Sequence, residues 1–368
     1  MVVAWSAAFL LWLSGAAALR ADGGQEPDAR SGPELYVAAC AACHGADGKG
    51  MPQAVVGYET PLPDFSDCSF ATPEPDADWI AIVHQGGPVR AFDPMMPAFG
   101  EALVESDMER IVGHIRGFCT NRAWPPGELN LPRALVTEKA FPENEAVLTT
   151  VLSGGGEGAV GTEWLYERRL GARNQFEIAV PLELQQDAAG GWRRGLGDVA
   201  VAVKRALFHS LDTGSILSAA AEIVFPTGRP EEGLGSGVTI FEPFAAFGQV
   251  LPADGFFQLQ VGLELPADAD RAAKEAFWRA AIGKSFFQGR FGRTWSPMIE
   301  LLGARELGGG VETSWDIVPQ VQVTLSKRQH VMLSGGARIP VTETTRSTQV
   351  IAYLLWDWFD GGLLDGWR

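Results

Sequence analysis

At positions 175–184 the sequence reads QFEIAVPLEL, and Phe176, Ile178 and Val180 alternate there with polar or small residues. The same period of two recurs at positions 257–265, which read FQLQVGLEL. Successive residues of a β-strand point to opposite faces, so this period gives each strand one apolar face and one polar face. The two stretches therefore predict amphipathic β-strands.

Similar stretches recur throughout the second part of the chain, separated by clusters of glycine and other turn residues. We count twelve, at 146–153, 161–170, 174–184, 197–208, 215–225, 237–250, 256–265, 275–287, 291–305, 312–326, 329–339 and 346–358. About 10 residues of tilted strand cross a bilayer, and an even strand number is typical of bacterial outer-membrane barrels. The sequence predicts an all-β antiparallel barrel of about twelve strands over residues 145–368.

A soluble β-sandwich would show the same alternation, so other features must separate the two folds. Long charged side chains on the polar faces favour a water-filled lumen, namely Glu163, Glu167, Arg169, Glu177 and Glu183. Aromatic residues near the strand ends favour interfacial girdles, namely Trp164, Tyr166, Phe286, Phe287, Phe291, Trp295, Tyr353, Trp356, Trp358 and Phe359. Both features predict that the apolar faces meet lipid.

Short glycine-rich motifs add a resemblance for this part of the chain. They are Gly195-Leu196-Gly197-Asp198-Val199, Phe225-Pro226-Thr227-Gly228 and Gly233-Leu234-Gly235-Ser236-Gly237. Residues 145–368 resemble the transporter-like outer-membrane barrels grouped under the meta pathway of phenol degradation. The resemblance implies an outer-membrane location and a small-molecule solute that passes through the barrel.

The first residues and the overall charge limit the compartment and the partners. Residues 2–19 are almost wholly apolar and close with the small residues Ala16-Ala17-Ala18, which predicts a signal peptide over residues 1–20 and export, with an uncleaved membrane anchor as the alternative. The 368 residues carry a formal net charge of −16, the wrong sign for a protein that neutralises phosphates. We therefore expect no nucleic-acid partner.

The residues Cys40-Ala41-Ala42-Cys43-His44 form the attachment signature of c-type haem. Two thiols on one helical turn add to the vinyl groups, and the adjacent histidine places a ring nitrogen on the iron. A thioredoxin-like pair needs a preceding buried strand, and a zinc site needs a second Cys-x-x-Cys pair. Because Cys68 and Cys119 stand alone, the motif predicts one covalent haem c.

Residues 31–120 resemble a class I monohaem c-type cytochrome, through this motif, through Met95-Met96-Pro97-Ala98-Phe99 and through a closing helix that opens at Ser106. The resemblance implies a small all-α domain with its last helix crossing the first. It also implies Cys40 and Cys43 as covalent anchors, with His44 and Met96 as the two metal ligands. Met95, His84 and Met51 remain possible as the sixth ligand, as does an open sixth position.

Export also bears on the two remaining cysteines, and a Pro-rich stretch bears on the domain boundary. In an oxidising compartment Cys68 and Cys119 are expected to form a disulfide, with two buried thiols as the alternative. The sequence Trp124-Pro125-Pro126-Gly127 ends the helical pattern, so residues 121–144 are interpreted as a linker.

A haem with two protein ligands has no open position for substrate, so we expect an electron carrier without catalytic residues of its own. The expected partners are periplasmic redox proteins and outer-membrane lipid, with the haem domain in the periplasm. Two further functions stay open. The chain could be an outer-membrane channel with a cytochrome handle, or a soluble periplasmic cytochrome subunit of a dehydrogenase.

Overall fold

The structure is a computed structural model that describes residues 26–58, 61–154, 158–186, 190–308, 310–342, 346–359, 362 and 364. The predicted signal peptide, residues 1–20, lies outside the described residues. In the described part of the chain, helices precede a large antiparallel sheet. None of the described helices is long and apolar enough to cross a membrane.

Six α-helices form the first part of the structure. They are α1 (Gly32–Ala39), α2 (Ala41–His44), α3 (Gln53–Val56), α4 (Cys68–Ala71), α5 (Asp76–Gln85) and α6 (Glu105–Arg116). The closing helix starts at Glu105 instead of Ser106, because Asp107 Oδ2 accepts the Val104 backbone N–H at 3.3 Å. The helical content agrees with the expected all-α domain.

Helices α1 and α6 cross at close range, as the resemblance implied. A Cβ atom at Gly32 would lie 2.3 Å from the backbone oxygen of Arg110, so only glycine allows this approach. Tyr36 and Met108 are fully buried beside the crossing. The predicted Cys68–Cys119 disulfide is confirmed, with the Cα atoms 5.1 Å apart, and it fixes the end of the polypeptide after α6 to α4.

Fourteen strands are described, and twelve of them close into one antiparallel ring, which confirms the predicted barrel. The ring consists of β1 (Glu145–Ser153), β2 (Ala159–Leu170), β3 (Asn174–Gln186), β5 (Val199–Ser210), β6 (Ser215–Phe225), β7 (Ile240–Leu251), β8 (Gly255–Pro266), β9 (Glu275–Lys284), β11 (Thr294–Glu306), β12 (Ser314–Thr324), β13 (Val331–Pro340) and β14 (Gln349–Asp357). Pairing of β1 with β14 and of β9 with β11 closes it. The short strands β4 (Trp192–Leu196) and β10 (Phe286–Phe287) add to β3 and β11.

The polar residues of the strands are buried and the apolar residues are exposed. In β8, Gln258 and Gln260 are 1% and 2% exposed, whereas Val261 on the opposite face is 44% exposed. The same inversion holds in β3, where Glu177 is buried and Leu182 is exposed. A sandwich would bury the apolar face in its core, so this pattern contradicts the soluble β-sandwich.

The two ends of the barrel carry connections of different length. At one end β2 and β3, β5 and β6, and β7 and β8 are joined by the short turns 171–173, 211–214 and 252–254. At the other end, longer connections include 226–239 between β6 and β7 and 267–274 between β8 and β9. The helical domain contacts the short-turn end, where Arg90 Nη1 donates to Phe291 O at 2.8 Å.

The stretch interpreted as a linker enters the barrel. Residues 129–143, here called the luminal segment, lack helix and strand apart from the last residue of a 3₁₀ turn (Gly127–Leu129). Their backbone is held by inward side chains from opposite sides of the ring: Gln258 of β8 donates to Pro132 O at 2.8 Å, and Tyr353 of β14 donates to Arg133 O at 2.6 Å. The segment therefore fills the lumen instead of serving as an exposed tether.

The expectation of a water-filled lumen is wrong at this level of the barrel. Glu167 is 0% exposed, and its carboxylate lies 2.8 Å from Arg133 Nη1 of the luminal segment. Lys204 Nζ lies 3.3 Å from Glu177 Oε1 on the wall itself. Alternation in the strands reports an inward polar face, but it does not say whether water or another part of the chain meets that face.

Part of the predicted aromatic girdle is also wrong. Tyr353 points into the lumen, and Phe359 packs beside Phe141 of the luminal segment, with ring centroids 6.4 Å apart. Trp358 is buried and stacks on Tyr166. Other predicted girdle residues are exposed on the outside, namely Trp164, Phe286, Phe287 and Trp295.

Candidate haem-binding site

The Cys-x-x-Cys-His residues lie where two short helices meet. Cys40 ends α1, and α2 (Ala41–His44) carries the second cysteine and the histidine. Both cysteines are free thiols and both line one cavity of the helical domain. Burial raises the pKa of the Cys40 thiol to about 11, so it is a neutral thiol rather than a metal-binding thiolate.

The His44 ring is held in a defined orientation against the same cavity. It stacks on Phe65, with the ring centroids 4.8 Å apart and the planes 24° from parallel. Burial lowers the pKa of His44, so the ring is neutral and can offer a nitrogen lone pair to a metal. Its Nδ1 atom is buried with no hydrogen-bond partner among the described residues. A half-buried, neutral histidine of this kind fits iron ligation.

The Met-Pro loop contributes to the wall of this cavity. Met95, Met96 and Pro97 line it, and the Met96 backbone oxygen accepts the Gly87 N–H at 3.0 Å. Met96 is half-buried, whereas Met95 is 54% exposed. A side chain at Gly87 would lie 2.2 Å from Asp93 O, so glycine allows this loop to pack closely.

His84 and Met51, the two remaining candidates for the sixth ligand, do not line the cavity. The His84 ring packs on Phe291 of the barrel, and its Nε2 lies 3.0 Å from Arg290 Nη1. The structure therefore brings Met96 and Met95, but neither His84 nor Met51, to the cavity that holds the two cysteines and His44.

Most of the cavity wall is apolar and aromatic. The contributing side chains are Leu62, Phe65, Phe70, Trp79, Ile82, Val83, Phe99 and Ile115. A flat macrocycle needs such a wall on its two faces, with the thiols and the ligands at its edge and centre. The donor set and the apolar surroundings together fit a haem group.

One part of the wall is charged, and two of its residues come from the barrel. Glu74, Asp78 and Arg90 of the helical domain lie there with Arg328 and His330 of the β12–β13 turn. Arg90 Nη2 lies 2.6 Å from Asp78, and His330 Nε2 lies 3.1 Å from Glu74. These five residues are called the charged wall.

The charges of this wall depend on one another. Burial raises the pKa of Asp78, although Arg90 opposes the shift. For Glu74, burial acts upwards, but His330 and the neighbouring arginines outweigh it and the pKa is lowered. Burial alone would lower the pKa of His330, but Asp357 and Glu74 raise it well above its usual value. His330 is therefore a buried cation at neutral pH.

No pattern in the sequence indicates that Arg328 and His330 belong to this site. They lie more than two hundred residues beyond the Cys-x-x-Cys-His motif, in a turn with no recognisable motif of its own. Only the docking of the helical domain on the short-turn end of the barrel brings them there. The one signal that would have assigned them to the site is the burial of a histidine and an arginine in a barrel turn. This burial cannot be inferred from the residue types alone.

The chain is similar to one protein family over part of its length and to several solved structures. Residues 27–115 match the family described as "Cytochrome C oxidase, cbb3-type, subunit III". Solved structures similar to this chain include the NanC porin (11% identity, 58% of this chain and 99% of that chain, TM-score 0.39) and the KdgM porin (10%, 58% and 99%, TM-score 0.36). The beta domain of the Bordetella autotransporter Brka is also similar (12%, 58% and 97%, TM-score 0.37).

No curated protein matches the chain. The resemblance of the barrel to the phenol meta-pathway proteins therefore stays a prediction. The family match covers most of the segment interpreted as a cytochrome domain, residues 31–120, and it supports electron transfer as the role of that segment. The first part of this chain is thus similar to c-type cytochrome domains, and the second part is a closed antiparallel barrel of twelve strands.

Proposed function

We propose that this protein is an electron carrier that holds one covalent haem c on the periplasmic side of the outer membrane, with the barrel as its membrane anchor. The observation that carries the proposal is the single cavity lined by Cys40, Cys43, His44 and Met96. When bound there, haem supplies a one-electron ferric/ferrous couple. The partners would be periplasmic redox proteins.

Each of the four side chains has a defined task in this proposal. Cys40 and Cys43 attach the macrocycle through thioether bonds, which is consistent with their free thiols on one turn. His44 is the fifth ligand, and stacking on Phe65 sets its orientation. Met96 is the sixth ligand, since it is less exposed than Met95 and directly precedes Pro97.

The outer surface of the barrel supports an anchor in lipid. Large apolar side chains in many strands are exposed on this surface, among them Leu182, Val203, Val261, Leu301 and Leu333. An apolar belt of this kind is costly in water and favourable in a bilayer. Outer-membrane barrels have short turns on the periplasmic side, and the helical domain lies at the short-turn end of this barrel.

The luminal segment favours an anchor over an open solute channel. Residues 129–143 are tied to the wall by ion pairs, by hydrogen bonds that side chains of β6, β8 and β14 donate, and by hydrogen bonds that Glu300 of β11 accepts. A solute could pass only if this segment left the lumen, and its departure would expose several buried charges of the wall. We therefore place solute transport second, and the soluble dehydrogenase subunit third because of the apolar exterior.

The test is a purification from washed outer membranes in detergent, with spectra of the oxidised and reduced protein. We expect a c-type haem spectrum and haem staining that survives a denaturing gel. The double variant Cys40→Ala, Cys43→Ala should insert in the membrane without covalent haem. Covalent haem in that variant, or a parent protein that carbonate washes off the membrane, would contradict the proposal.

A further inference from the structure

The β12–β13 turn of the barrel reaches into the cavity of the helical domain. Arg328 and His330 are only 8% and 3% exposed, although they belong to a turn at the end of the barrel. The guanidinium of Arg328 lies over the ring of Phe92, 4.3 Å from its centroid, and His330 pairs with Glu74. The turn thus forms part of the cavity wall.

The charged wall matches the carboxylate edge of a haem, whereas the apolar part of the cavity matches the macrocycle. A haem combines an apolar macrocycle with two carboxylates on one edge. Outside the Cys-x-x-Cys-His motif the cavity wall is mainly apolar, and Asp93 and the charged wall supply its charged residues. In the charged wall Arg90 pairs with Asp78 and His330 with Glu74, and Arg328 is the third cationic side chain. A buried carboxylate requires a cation or several hydrogen-bond donors, and an arginine offers both. The charged wall is the part of the cavity that supplies cationic side chains.

We propose that the haem site is shared between the two domains, with Arg328 and His330 of the barrel completing the wall that receives the haem carboxylates. The inference rests on the proposed attachment of haem at Cys40 and Cys43. Arg328 is the direct carboxylate-binding residue, and His330 positions the turn through Glu74 and Asp357, whose Oδ1 lies 2.5 Å from His330 Nδ1.

A shared site makes the redox behaviour of the haem depend on the barrel. A buried positive charge beside the haem favours the reduced iron, because the oxidised centre carries one more positive charge. Removing the charge of Arg328 should therefore lower the midpoint potential. An exposed charge in the same turn is screened by water and should have a smaller effect.

The neighbouring lysine provides a matched control for this experiment. Lys327 lies in the same turn and carries the same charge, but it is exposed and does not line the cavity. We would measure midpoint potentials of the full-length protein in detergent for the parent, Arg328→Gln, Arg328→Lys and Lys327→Gln. Haem content per chain and heat-modifiable gel mobility would verify attachment and barrel assembly in each variant.

The expected result is a lower potential for Arg328→Gln, a smaller shift for Lys327→Gln, and a potential near the parent value for Arg328→Lys. If Arg328→Gln does not assemble, His330→Gln asks the same question and should also lower the potential. Fully attached haem with equal shifts in Arg328→Gln and Lys327→Gln would overturn the shared site. Absence of haem in the parent would instead overturn the proposed function.

Discussion

Thr137 donates both its backbone N–H and its hydroxyl to one carboxylate oxygen of Glu300, at 2.6 Å and 2.5 Å, in the middle of the barrel. The other carboxylate oxygen accepts the Val136 N–H at 3.1 Å and the amide of Gln320. The carboxylate of a wall residue is thus fully occupied by the chain that crosses the lumen. A buried segment without regular structure needs such partners for its backbone, and this wall supplies them.

One side of the luminal segment faces the end of the barrel that carries the longer connections. Val136 lines a polar cavity of about 430 Å³ there, together with Glu264, Glu275, Arg279 and Asp316, whereas Ala134 is 2% exposed. If this end faces the cell exterior, a membrane-impermeant maleimide added to intact cells should label Val136→Cys and leave Ala134→Cys unlabelled. Equal labelling of both would contradict the seated segment, and labelling of Val136→Cys only after lysis would reverse the orientation.

Replacing most of the luminal segment should convert the closed barrel into a conducting pore. We expect the parent protein to give little steady conductance in planar bilayers, because residues 129–143 occupy the lumen. Replacement of 131–140 by a Gly/Ser stretch of equal length removes Arg133 and Lys139 and should open a conducting path. The control Thr137→Ser keeps the hydroxyl bonded to Glu300 and should stay closed. A parent with the conductance of the replaced protein would show that the segment does not seal the barrel.

The outer face can be tested at a single exposed position. Val261 is 44% exposed near the middle of β8, so in water a lysine there would change stability little. In a bilayer the same lysine meets hydrocarbon and should cost about 2–4 kcal/mol. The control Glu264→Lys lies on the same strand but faces the polar cavity, and it should cost much less. Unfolding by urea in lipid vesicles measures both, and equal costs would contradict the lipid-facing exterior.

The alternation of the strands was sufficient to predict the barrel. The side chains of Gln258 and Glu177 are buried and that of Val261 is exposed, as a period of two predicts. Successive residues of a strand point to opposite faces of the sheet, so the sequence alone assigns each side chain to a face. The Cys40–His44 motif was also recognisable as a candidate haem site, since haem attachment needs particular residues at particular spacings, and Met96 lines the same cavity. Both kinds of signal are local in the sequence.

The luminal segment and the barrel side of the haem cavity were not predictable in this way. Residues 129–143 have no periodicity, and their partners Glu300, Gln320 and Gln258 are more than one hundred residues away. Tyr353 illustrates the difficulty, because an aromatic residue near a strand end suits an interfacial girdle equally well. Its contact with Arg133 O depends on where the connecting chain runs, and single-sequence patterns contain no such information.

The two adjacent methionines give a direct test of the ligand assignment. Met96 is half-buried in the cavity wall and Met95 is 54% exposed, so Met96→Ala should remove the sulfur ligand and Met95→Ala should not. Loss of a thioether ligand should lower the midpoint potential and abolish the weak sulfur-to-iron absorption of the oxidised protein. Optical titration of the two variants measures both. The opposite assignment would follow if only Met95→Ala lost the absorption.

The contact between His330 and Glu74 should make the docking of the two domains depend on pH. Burial lowers the pKa of His330, but Asp357 and Glu74 reverse this and hold it well above its ordinary value of 6.5. A group whose pKa is raised on folding stabilises the folded state below its unfolded pKa, and this stabilisation is lost as pH rises through the folded value. The parent should therefore lose thermal stability as pH increases above neutral.

The variant His330→Gln isolates this contribution, because glutamine can keep a hydrogen bond to Glu74 but cannot titrate. We expect thermal unfolding of the helical domain, followed by circular dichroism, to occur at lower temperature in the variant than in the parent near neutral pH. The difference between the two proteins should shrink towards alkaline pH, where His330 becomes neutral. A difference that stays constant with pH would mean that His330 contributes through packing alone, and one that grows would reverse the sign derived from its raised pKa.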